Sequence, residues 1–204
     1  MRHARLLGLI ATAGTALART DSANAEVTWT LDQAAWTSQV GGPGAVTQID
    51  FGTVANGQFL SEQFAAQGLH FTDGDDYRVD VGQEPPVPGV WGGPTPPWVA
   101  RPITMKFDQL LTGISAVQFT GDFALQLYLD AALVGTASVD SLAAFQVVGF
   151  VSDVAFNRVV VMGNVGASNY VAVIGNISFA VPAPSALALL AVAAVSGGAR
   201  RRRP

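Results

Sequence analysis

An all-β fold is the prediction for this chain: an antiparallel sandwich of two sheets, jelly-roll-like ahead of immunoglobulin-like, with a closed barrel as second choice. Three observations lead there. About ten short segments rich in Val, Ile, Phe, Thr and Tyr are bounded by Gly, Asn, Asp or Pro. These segments do not alternate with long helical patterns, which argues against a parallel α/β sheet. Hydrophobic residues make up 50% of the 204 and charged residues 13%, enough for one domain with a sizeable core.

The first element is predicted to lie outside the fold. "MRHAR" is a positively charged start, "LLGLIATAGTALA" a thirteen-residue apolar run, and a polar stretch then ends in "ANA", Ala23 to Ala25. That order is a secretory signal, residues 1–25, with signal peptidase cutting before Glu26 beside the small Ala23 and Ala25. The competing reading is a buried first helix, against which Arg19 and the flanking charges argue.

The domain follows as residues 26–180. "EVTWTL" and "AVTQIDF" read as strands, with "LDQAAWTSQ" between them as a short helix and Trp29 and Trp36 assigned to the core. "LSEQFAAQ" is the second helical candidate, and neither helix is long enough to carry the architecture. "PITMKF", "ISAVQF", "FALQLYL", "LVGTASV", "AFQVVGF", "FNRVVVM", "YVAVIG" and "NISF" are the remaining strands. In "FALQLYLD", alternation sets Phe123, Leu125, Leu127 and Leu129 on one face and Ala124, Gln126 and Tyr128 on the other. "AALVGTASV" returns after a turn at Asp130 to Ala132, so a hairpin is expected. Between the early and late strands, "GQEPPVPGVWGGPTPPWVARP" holds seven of eleven prolines, which cannot donate to a ladder, and is expected to be a loop or edge excursion.

The last element, residues 181–204, has three parts in order. Val181-Pro182-Ala183-Pro184 comes first, then fifteen uncharged residues from Ser185 to Ala199, then Arg200, Arg201, Arg202 and Arg203. As a helix the middle part reaches about 22 Å, short of a bilayer core of about 30 Å, so it is a marginal span. Arginines held on the cytoplasmic side leave the domain on the far side, in agreement with the signal. The three parts together resemble the PEP-CTERM sorting signal processed by exosortases; Ala183 stands where the commonest form has Glu. The resemblance implies an exosortase-type partner, a transient membrane anchor and a mature chain ending near Ala183. A plain C-terminal membrane anchor is the alternative.

A second resemblance covers most of the domain. Asp50-Phe51 with its Gly turn, Phe64, and Gly68-Leu69-His70-Phe71 are similar to the opening of exported sandwich domains that carry such a tail. "FQVVGFVSDVAFNRVVVMG" and "VAVIGNISF" look like their closing strands, with Gly175-Asn176 where Asp is common. Carbohydrate-binding-like sandwiches are the nearest described relatives of such domains, so the resemblance implies fold more than activity.

Charge narrows the partners. Between residues 26 and 180 stand four cations, Arg78, Arg101, Lys106 and Arg158, against fourteen of the fifteen acids, a formal charge of −10. Nucleic acid, which is bound through Lys and Arg, is excluded as a partner. Cysteine is absent, so there is no disulfide framework, thiol nucleophile or thiolate metal site.

Chemistry is thinly signalled, and no catalytic residue is assigned. After export the one histidine is His70; no G-x-S-x-G elbow accompanies it, and Leu69 and Phe71 beside it indicate a structural or surface strand position. Paired acids for glycoside hydrolysis are available in number, Glu62, Glu84 and many aspartates, but spacing along the chain does not single out two that share a cleft. No cofactor is required. Asp73, Asp75, Asp76 and Asp80 in "DGDDYRVD" are suitable oxygen ligands for a structural calcium, or else a solvated acidic turn, since no Glu completes an EF-hand. Trp91 and Trp98, stiffened by prolines and joined by Tyr77, offer stacking faces for a polysaccharide; the other reading is a lid over the sandwich. The function expected is that of an exported cell-surface or matrix protein that binds or builds without catalysis. A carbohydrate-binding module is the first alternative and a polysaccharide hydrolase the second.

Overall fold

The structure, a computed structural model, describes residues 25–71, 77–80, 89–92, 102–118, 121–143, 145–162 and 173–182. They are mostly strand: β1 Val27–Thr30, β2 Val46–Ile49, β3 Leu69–Phe71, β4 Tyr77–Asp80, β5 Gly89–Gly92, β6 Ile103–Gln118, β7 Gly121–Leu129, β8 Ala132–Leu142, β9 Gln146–Met162 and β10 Val173–Ala180. All pairings are antiparallel. The all-β expectation therefore holds.

Hydrogen bonding joins the strands into one ten-stranded sheet, where two sheets were expected. The order is β4-β5-β10-β6-β9-β7-β8, with β1 on β9, β2 on β10 and β3 on β6. Continuity comes from two long strands. "PITMKF" and "ISAVQF" are one strand, β6, and "AFQVVGF" and "FNRVVVM" are one strand, β9. Their mutual register shifts between Lys106 and Leu111 and again before Gly113. At that irregularity Asp108, Gln109 and Leu110 are exposed in succession, breaking the alternation that a regular strand would keep. Both strands also change neighbours along their length. On β6, β3 pairs at Met105–Phe107 and β10 at Gly113–Gln118; on β9, β7 pairs at Arg158–Met162 and β1 at Gly149–Ser152.

The predicted β7–β8 hairpin is present, with Leu129 opposite Ala132. Its turn sets Asp130 at φ 54, unusual for a residue with a Cβ. Asn157 on β9 compensates: its Oδ1 accepts from the Asp130 backbone N–H at 2.7 Å and its Nδ2 donates to Asp130 Oδ1 at 2.8 Å. The alternation is as read, with Phe123, Leu125 and Leu127 buried and Leu129 packed at the core's margin. Phe123 stacks on Phe150 at 5.6 Å between ring centroids, and Phe107 meets Phe179 edge-on at 5.0 Å.

Helix α1, Gln33–Gln39, is where the sequence placed it. Asp32 caps it, its Oδ1 accepting from the N–H groups of Ala34 and Ala35 at 2.8 and 3.1 Å. Trp36 is fully buried and donates from Nε1 to the Phe150 carbonyl at 3.0 Å. The sheet makes room with glycines: a Cβ on Gly149 would lie 2.5 Å from the Trp36 ring, and one on Gly113 2.6 Å from Val40 Cγ1. Trp29 departs from its core assignment. It is 49% exposed, because β1 lies at the sheet's margin, paired among the described strands with β9 alone. "LSEQFAAQ" holds a single 3-10 turn, Ala65–Gln67, rather than an α-helix.

Candidate functional site

A cleft of about 270 Å³ bordered by described residues opens beside α1. Its floor is a cross-strand row. Gln48 on β2 opposes Ser178 on β10, Ser178 opposes Ser115 on β6, and Ser115 opposes Gly149 on β9. Trp36 sits over Gly149, so α1 closes that end of the row, and Gln33 in its first turn forms a wall. Val117 and Val147, opposite one another on β6 and β9, continue the floor. Asn176 and Asp50 complete the rim.

The cleft exists because β10 changes partners. Its outer edge is paired by β5 at Val173 and Ile174 and by β2 from Ile177 to Ala180, and its register on β6 shifts between these stretches. Asn176 falls in the gap. Asp50 is held by the Gly52 N–H, which donates to its Oδ1 at 2.8 Å. The side chains of Gln33, Gln48, Ser115, Asn176 and Ser178 make no hydrogen bond to another described residue. Ser115 is the notable case, since it is only 2% exposed.

His70 forms a second polar group, on β3. Its Nδ1 lies 2.5 Å from Glu62 Oε2 and its Nε2 3.1 Å from Asp108 Oδ1. Gly68, at φ 78, turns the chain into β3, and its carbonyl accepts from the Asp108 N–H at 3.0 Å. The Glu62 carboxylate foremost, then that of Asp108, raises the His70 pKa above its ordinary value, and partial burial opposes them. Held between the two carboxylates, the ring fastens the segment before β3 to β6. With both ring nitrogens engaged, it has the geometry of a clamp rather than of a base poised toward substrate.

The residues singled out from sequence divide into two groups. Tyr77, Asp80 and Trp91 belong to the β4–β5 hairpin, where Trp91 pairs with Arg78 on one side and Val173 on the other, Tyr77 with Gly92, and Asp80 with Gly89. Register thus sets Arg78, not Tyr77, opposite Trp91. The proline-rich stretch, expected as a loop or edge excursion, contains a strand, β5, that lies inside the sheet between β4 and β10. Trp98, Asp73, Asp75, Asp76, Ala23, Ala183, Pro184 and Arg200, Arg201, Arg202 and Arg203 lie outside the described residues, as do the apolar segments at both ends. Ala25 donates its N–H to the Val134 carbonyl at 2.6 Å, and Val181 donates its N–H to the Ala45 carbonyl at 3.4 Å, with Pro182 following. Among the described residues, no group of three or more His, Cys, Asp or Glu side chains is arranged to hold a metal ion, and no helix is long and apolar enough to cross a membrane.

Fold and cleft together define an antiparallel all-β domain with a recess on one sheet face whose polar lining is neutral apart from Asp50. Comparison with protein-family models, with curated proteins and with solved structures finds no match for the chain.

Proposed function

We propose that the chain is an exported protein of the cell surface or extracellular matrix that acts by binding or as a structural component, without catalysis. In this reading residues 1–25 are removed by signal peptidase and residues 181–204 are a PEP-CTERM-like sorting signal handled by an exosortase-type enzyme, with a transient stay in the membrane. The domain between them is a jelly-roll-like sandwich whose two layers are halves of one folded sheet. Support for the layering comes from a small apolar space lined by Met105 and Ile114, from opposite halves of β6, and by Phe150 and Val159, from opposite halves of β9. The observation that carries the export reading is the sequence of Pro-x-Pro, apolar stretch and four arginines at one end, facing a signal-like segment at the other.

A binding role is favoured by the cleft, whose polar side chains are neutral but for Asp50 and, Asp50 aside, lack hydrogen-bond partners among the described residues. A carbohydrate-binding module centred on Trp91 and Trp98 is the alternative, and a structural calcium at Asp73 to Asp80 is compatible with either. Replacing Arg200 to Arg203 with Ala tests the sorting step: the domain keeps its melting temperature while its surface fraction drops, as read by fractionation and immunoblotting. Unchanged fractionation contradicts the proposal.

A further inference from the structure

We infer that the cleft beside α1 receives one ring of a neutral, hydroxyl-rich sugar. Size sets the first limit. At about 270 Å³ the space falls just below the range of drug-sized pockets, roughly 300–1,000 Å³, and suits a single ring. Hydrogen-bonding capacity sets the second. Gln33, Gln48 and Asn176 each present an acceptor oxygen and a donor nitrogen, and Ser115 and Ser178 present hydroxyls that do both. Sugar hydroxyls likewise donate and accept, so this mixture matches neighbouring hydroxyls on a ring. The hydroxyl of Ser115, on a residue only 2% exposed and without a partner among the described residues, is left open to a bond from whatever enters the cleft, water or ligand.

Charge decides against an anionic ligand. Among the described residues no cation lines the cleft, Asp50 stands at its rim, and residues 26–180 carry −10, so a carboxylate or phosphate is repelled. Val117 and Val147 supply the small apolar contact that the C–H face of a ring requires. The inference rests on the binding role proposed above, extracellular polysaccharide being where such rings are met.

The test is calorimetric titration of the protein, in the form its cells produce, with short neutral oligosaccharides of the gluco, manno and galacto series and with a uronate oligosaccharide of matching length. At least one neutral series binds, and the uronate binds about tenfold more weakly or not at all. Gln48→Ala and Asn176→Ala, both at exposed positions, each lower the association constant about fivefold with an unchanged melting temperature, the loss expected for one hydrogen bond. Trp91→Ala retains binding of the shortest saccharide. Absence of binding by every neutral series, equal or better binding of the uronate, or full binding by both cleft variants overturns the inference. Failure of sugar binding in a protein recovered outside the cell removes the cleft ligand and leaves export intact; sugar binding by a protein recovered only in the cytosol does the reverse.

Discussion

His70 illustrates how a residue read as an ordinary strand position acquires a role from its surroundings. Its folded-state pKa lies above its ordinary value of about 6.5 because Glu62 and Asp108 favour the charged ring. The folded protein therefore holds this proton more tightly than the unfolded chain. Linkage then fixes the sign: the stabilisation is fully present below the unfolded value and is lost as pH rises through the raised folded one. Both carboxylates are more than half exposed, so solvent screens the pair and the effect is modest. Urea midpoints measured from about pH 5 to about pH 9 should fall across this window in the wild type and flatten in His70→Gln. A variant with the same slope as the wild type assigns the pH dependence elsewhere. Glu26 is a second residue whose meaning depends on processing. Its backbone N–H donates to Asp153 Oδ1 at 2.9 Å, so cleavage before it would set a charged amino group against that carboxylate.

At the scale of elements, helix α1 and the two long strands show what sequence does and does not reveal. The helix was legible because Asp32 is a good cap and Trp36 an obvious anchor. What it packs on was not: Gly149 and Gly113 read as strand glycines, and only the fold brings them under Trp36 and Val40. Gly149→Ala should destabilise the domain by about 1–3 kcal/mol, the usual cost of overpacking, with the helix signal reduced in proportion to unfolding. Trp36→Ala, which empties the same contact, should cost about 3–5 kcal/mol. Thermal or urea denaturation checks both, and a neutral Gly149→Ala would show that α1 rests less closely on the sheet. The strands β6 and β9 were each read as two, since Asp108-Gln109 and Ser152-Asp153 resemble turns. They are irregularities within continuous ladders, a distinction set by long-range pairing that no local window contains. The cleft was invisible for the same reason: Gln48, Ser115 and Ser178 come from three separated strands and become neighbours only through register.

For the whole molecule, the described strands account for the fold, and the uneven charge is a premise of the proposed export. Residues 26–180 carry fourteen acids against four cations, while the other basic residues are concentrated at the two ends. Glu26 and Val181 are both hydrogen-bonded to the body of the fold, and cleavage before Glu26 gives up the bond from the Ala25 N–H to the Val134 carbonyl. Mass spectrometry of both termini, on protein from fractionated cells, tests the central claim most directly. The account predicts a chain that begins at Glu26, ends within residues 181–204 and is recovered outside the cytoplasm. An intact chain of 204 residues in the cytosol contradicts it.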